Sequence, residues 1–242
     1  MTNTSNFRQA IREAGGLPIV GPQVIANALP WVGGGLLLTA VGTFGGLQVL
    51  ASNYSIFVPT VIGAAILNLI LFFVANSVAE KENNGAALPL LATYSLLTGY
   101  TLTGLVALAI GTAGVGLPGI GFAAIGCGLT FIVGRQIGSN LSDKDGLALA
   151  QTVRLGIIAL FVVLLVQLGL ALFHIYTPTF LEIAISGIGV LLFAGAAVVD
   201  FYTLPRAYRD DQYLCVALSM YLTYINLFVF LLRLLIAINS RD

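Results

Sequence analysis

Seven blocks of predominantly apolar residues, each long enough to cross a bilayer, limit what this chain can fold into: Trp31 to Ser52, Ser55 to Ala79, Ala86 to Thr112, Gly116 to Gly138, Val153 to Phe173, Thr179 to Thr203 and Gln212 to Asn239. A helix rises about 1.5 Å per residue, so roughly 20 such residues cover the ~30 Å hydrocarbon core. Composition agrees, since 8% of residues are charged and 58% hydrophobic, with a mean hydropathy of +1.00. A soluble domain carries about 25% charged residues. Without water to satisfy backbone groups, unbroken helices are the natural way for such blocks to span. The expectation is an all-α polytopic membrane protein: a segment 1–30, a membrane domain 31–239 and a short tail 240–242.

Basic residues predict the orientation, because Lys and Arg in short loops are retained in the cytoplasm. If every block spans, Arg8, Arg12, Lys81, Arg135, Lys144, Arg154, Arg206 and Arg209 share one side. The other side holds Arg241, and Arg233 lies within the last block. This places the N-terminus in the cytoplasm and the C-terminus outside, unless the last block is re-entrant. The connections, among them Glu80 to Gly85, Asn140 to Thr152 and Leu204 to Asp211, are too short to hold a soluble domain. Pro18, Pro22 and Pro30 interrupt the leading segment, so it lacks the continuous core of a signal peptide. The first span is then its own insertion signal, and the short loops point to a plasma (inner) membrane.

Several function classes lose support here. Net charge is zero and the basic residues form no stripe, which argues against nucleic acid. Cys127 and Cys215 are isolated, and His174, the one histidine, has no nearby ligand, so no metal site is expected. Ser186 has no base and orienting group within reach of sequence logic, and no lysine lies inside a span to carry a Schiff base. No cofactor is implied, and the protein is not expected to be an enzyme. Gly42 with Gly46, and Gly134 with Gly138, have the spacing that lets helices pack closely; we read them as packing positions within one bundle. The glycine-rich run from Gly111 to Gly128 could bend the connection between the third and fourth spans.

An ionisable side chain at membrane depth costs at least ~2.5 kcal/mol, so each one needs a partner, water or a function. Asp200 is the outstanding case. It lies in the sixth block five residues before Pro205, roughly 7 to 8 Å inside the helix end. Burial disfavours its charged form and a neighbouring cation favours it, so its protonation depends on what packs around it. Lys81, Arg135, Arg154, Arg206 and Arg209 are the candidate partners. In the last block Thr223, Asn226, Phe230 and Arg233 recur at intervals of three, four and three, which stacks them on one helix face. Arg233 is ten residues from Thr223, about 15 Å along the axis. It is therefore expected to reach outward or bind carbonyls rather than meet Asp200. Asn68, Asn76, Gln48 and Gln167 read as interhelical hydrogen-bonding residues, and Glu182 as a charge favourable to a helix N-terminus.

The segments Val199-Asp200-Phe201-Tyr202, Asp210-Asp211-Gln212-Tyr213 and Ala-Leu-Ser-Met-Tyr-Leu-Thr-Tyr-Ile-Asn-Leu-Phe over 217–228, ahead of Leu231-Leu232-Arg233, resemble the transmembrane Bax inhibitor motif family. Thr98-Gly99-Tyr100-Thr101-Leu102 adds weaker support. The resemblance implies six helices around a central seventh and a pH-sensitive calcium leak, with calcium ions as the permeant species. It also implies that a carboxylate of the sixth span meets one of the seventh and shares a proton with it. Asp200 occupies the first position, but Thr223 stands at the second and Asn68 near an acidic position of the second span. The resemblance thus places a gate at Asp200, Thr223 and Asn226, with conduction weakened or altered. Two other readings remain open at this point: a proton-coupled carrier of a small solute, and a non-conducting membrane partner in stress responses.

Overall fold

The computed structural model describes residues 18–80, 84–175 and 177–240. It holds seven long helices: α1 (Val24–Ser52), α2 (Tyr54–Glu80), α3 (Asn84–Gly111), α4 (Gly116–Gly138), α5 (Asp143–Leu172), α6 (Thr179–Ala207) and α7 (Tyr213–Asn239). All seven have the length and apolar character to cross a membrane, as expected of a polytopic all-α membrane protein. A single 3₁₀ turn, Asp210–Gln212, joins α6 to α7. The last helix is unbroken over 27 residues and does not turn back on itself, so the re-entrant alternative has no support.

The helix ends differ from the apolar blocks for identifiable reasons. The first helix begins at Val24, seven residues before Trp31, and runs through Pro30. Proline removes one helical hydrogen bond and crowds the preceding turn, and Pro30, Pro59, Pro89 and Pro205 all lie near a helix end, where that disruption costs least. Ahead of α1, the Val20 and Gly21 N–H groups donate to the Pro205 carbonyl at 2.8 and 2.9 Å, and the Gln23 N–H donates to Asp210 Oδ1 at 2.8 Å. The segment therefore docks on the α6–α7 connection. Farther along, α5 starts at Asp143 although its polar first turns read as a loop up to Thr152. Ser142 caps it, accepting the Asp145 N–H at 3.2 Å and donating to Asp145 Oδ2 at 2.6 Å.

Helix α7 is the centre of the bundle and packs against α1, α2, α3, α4 and α6, while α5 packs on α6. Its Cys215, Val216, Ala217, Leu218, Met220, Tyr221, Leu227 and Leu232 are essentially inaccessible. By contrast α5 presents Leu155, Phe161, Leu165 and Leu168 outward, as a helix facing lipid can do without cost. Both glycine pairs act inside the bundle. A Cβ at Gly42 would meet the Leu96 backbone of α3, and one at Gly138 would meet Val198 of α6. Between α3 and α4 the chain turns at Gly114 and Gly116, whose φ values of 82° and 56° suit glycine.

Candidate functional site

Asp200 is carried by α6 where that helix lies against both α4 and α7. The absence of side chains at Gly134 and Gly138 brings α4 up to the backbone of Ala197 and Val198. Aromatic rings close the neighbourhood: Phe131 of α4 meets Phe201 edge-on at 6.1 Å and Tyr224 of α7 at 5.5 Å, and the Tyr224 hydroxyl donates to the Ala124 carbonyl at 2.9 Å. As a result Asp200 is only 9% exposed, and Thr223 of α7 only 8%. The Thr223 side chain lies beside the Asp200 carboxyl and interacts with it. Oδ2 of Asp200 is buried without a hydrogen-bond partner. The helix continues to Ala207, so Asp200 sits seven residues, about 10 Å, from its end, deeper than the sequence implied.

A hydroxyl can serve a carboxyl group in both protonation states. It donates to a carboxylate and accepts from a carboxylic acid, so rotation of the Thr223 hydroxyl keeps α6 and α7 linked through either state. Two carboxylates would share one proton instead, and the pair would titrate as a coupled unit. The Asp200–Thr223 pair is a single-proton site.

Of the expected basic partners, Arg206 and Arg209 are engaged elsewhere. Arg206 lies 3.7 Å from Asp143, its Nη1 donates to the Tyr202 carbonyl at 2.7 Å and its guanidinium stacks 4.2 Å from the Tyr202 ring. Arg209 pairs with Asp211 at 3.3 Å. Arg135 and Arg154 are exposed on helix surfaces, and neither forms an ion pair with Asp200 among the described residues. Lys81 lies outside the described residues, as do Arg8, Arg12 and Arg241. Asn226 donates to the Leu222 carbonyl of its own helix at 2.8 Å, so of Asp200, Thr223 and Asn226 the structure brings only the first two together.

Three members of the stripe on α7, Thr223, Phe230 and Arg233, meet α6. Phe230 stacks on Phe193 at 5.6 Å and fills the space over Gly189. Arg233 is held chiefly by an ion pair that the sequence did not indicate: its Nε and Nη2 donate to Glu182 Oε1 at 2.9 and 2.6 Å, and Nη2 also donates to the Gln167 side-chain carbonyl at 3.4 Å. Gln167 joins them by donating to Glu182 Oε2 at 3.1 Å, as an interhelical residue should. The sequence treated Glu182 only as a helix-terminal charge, and no signal tied it to a residue 51 positions away. Asn68 donates to Thr98 Oγ1 at 3.1 Å, bridging α2 to α3, and Thr39 bonds the Tyr221 hydroxyl at 2.6 Å, bridging α1 to α7. Asp143 also escaped notice. It accepts the Tyr202 hydroxyl at 2.9 Å, and the four-residue spacing of Tyr202 and Arg206 on α6 was the available clue.

These features define a class: a seven-helix membrane bundle with one carboxyl group buried between the sixth helix and a central seventh. Residues 21–241 match the family described as Inhibitor of apoptosis-promoting Bax1. The chain belongs to this family. It is 32% identical to an uncharacterized membrane protein of Streptococcus pyogenes serotype M1 over 71% of this chain and 72% of that one. It is also 30% identical to Bax inhibitor 1 of Schizosaccharomyces pombe over 32% of this chain and 29% of the relative, and 35% identical to mouse Protein lifeguard 4 over 27% of each.

Proposed function

We propose that this protein is a pH-sensitive calcium leak of the Bax inhibitor type, gated by a single proton at Asp200, and that it is not an enzyme. The observation that carries the reading is the buried Asp200, set beside Thr223 of the central helix and unpaired at Oδ2. An ionised carboxylate left without a counter-ion in a low-dielectric bundle favours hydration or cation entry, and its protonated form removes that drive. Calcium takes six to eight oxygen ligands, and a lone carboxyl with a hydroxyl offers few. Such a site passes a cation rather than retaining it, so the leak is weak compared with one lined by a carboxylate pair. The basic-residue distribution supports a cytoplasmic N-terminus, and the short loops support a plasma membrane.

Reconstitution into liposomes loaded with a calcium dye tests the reading. The expected result is a calcium flux that varies across pH 6 to 8 and loses that variation in Asp200→Asn. A flux whose pH profile is unchanged in Asp200→Asn removes Asp200 from the mechanism. Counterflow of a small solute without calcium movement would transfer the site to a proton-coupled carrier.

A further inference from the structure

At the opposite end of α6 and α7 from Asp200, the Arg233–Glu182 pair lies between two open recesses that no part of the proposed leak uses. One, of about 320 Å³, is walled by Leu105, Leu108 and Ile236; the other, of about 440 Å³, by Leu164, Leu168 and Ile175. Both share Thr177, Glu182 and Arg233. We propose that this charged ridge seats the headgroup of a zwitterionic aminophospholipid, with Arg233 taking the phosphate and Glu182 the ammonium, and one acyl chain following each recess.

Depth supports the assignment. Glu182 stands three residues inside the start of α6 and Arg233 six residues from the end of α7, about 5 and 9 Å from the helix ends. This is the zone between headgroups and hydrocarbon. Leu108 and Leu168 on the two walls are 57% and 60% exposed, so in a bilayer they already touch lipid. Charge decides the headgroup. The pair is neutral overall, which gives an anionic lipid no net attraction, whereas a zwitterion complements both members. Both charged side chains are mostly shielded, at 23% and 25% exposure, so water alone solvates them poorly. Arg233 uses Nε and Nη2 on Oε1 of Glu182, Nη2 also donates to Gln167 Oε1 at 3.4 Å, Gln167 donates to Glu182 Oε2, and Nη1 has no hydrogen-bond partner among the described residues. That nitrogen is available to a phosphate oxygen. A primary ammonium donates hydrogen bonds to a carboxylate and a quaternary one cannot. Phosphatidylethanolamine is therefore favoured over phosphatidylcholine.

Native mass spectrometry of the full chain, released from detergent with equal amounts of phosphatidylethanolamine, phosphatidylcholine and phosphatidylglycerol, tests the proposal. Phosphatidylethanolamine should be retained about tenfold over phosphatidylcholine, which corresponds to about 1.4 kcal/mol. Glu182→Gln should abolish this preference and raise phosphatidylglycerol retention, because Arg233 is then left with net positive charge. Leu168→Trp fills one recess with the ion pair intact, so it keeps the proposal testable if Glu182→Gln fails to fold; it should lower retention of all bound lipid. Equal retention of the three lipids by the unaltered protein overturns the proposal, as does an undiminished ethanolamine preference in Glu182→Gln or lipid retention unchanged by Leu168→Trp. Displacement by soluble glycerophosphoethanolamine at equal concentration would overturn the assignment to a membrane lipid.

Discussion

Replacing Thr223 by valine keeps the shape of the side chain and deletes the hydroxyl that lies beside Asp200. Because Asp200 is 9% exposed and Oδ2 already lacks a partner, water cannot readily replace the lost interaction. Interhelical hydrogen bonds in membranes average about 0.6 kcal/mol and reach about 1.7. A bond to an ionised group is worth about 1.5–3 kcal/mol. The size of the effect therefore reports the charge state of Asp200. Reversible unfolding in mild detergent, measured for the unaltered protein, Thr223→Val, Asp200→Leu and the double variant, isolates the pair. The coupling should be about 1.5 kcal/mol or more when Asp200 is ionised and fall toward about 0.6 kcal/mol once it is protonated. Asp200→Leu alone should cost about 1–3 kcal/mol because it strands the buried Thr223 hydroxyl, whereas the double variant, apolar at both positions, should be nearer neutral. If Thr223→Val costs the same whether or not Asp200→Leu is also present, the hydroxyl does not hold the carboxyl and the single-proton site is wrong.

Thr223→Asp should convert the one-step pH response of calcium flux into a two-step or steeper one, because two adjoining carboxylates titrate as a coupled pair; an unmoved curve refutes the contact. Gly99→Ala places a Cβ against the Thr39 backbone and should destabilise the bundle by about 1–3 kcal/mol. Gly104→Ala on the same helix meets nothing within 4 Å and should be neutral or stabilising, and equal unfolding midpoints for the two variants would contradict the α1–α3 approach. Tyr202→Phe removes the bond to Asp143 and should cost about 0.5–1.5 kcal/mol, read as earlier proteolysis at the α4–α5 connection; unaltered cleavage would count against that contact.

The sequence by itself determined seven spans, because backbone polar groups in lipid leave a long apolar segment little alternative to a helix. It also marked Asp200 and Thr223, since a polar residue inside an apolar block is costly enough to require a reason. The two glycine pairs were legible as packing positions, a role that depends only on the missing Cβ. Tertiary structure decided the rest. Apolar residues facing lipid and apolar residues facing protein look alike in sequence, so the central place of α7 and the outward place of α5 emerge from packing alone. Partner choice was equally hidden: Arg206 meets Asp143 and Arg233 meets Glu182 because the helices bring distant positions together, whereas spacing along one chain reports only neighbours on the same helix. The extra turns of α1 and α5 also depended on tertiary and capping contacts, with Asp210 and Ser142 holding helix starts that apolar pattern could not mark.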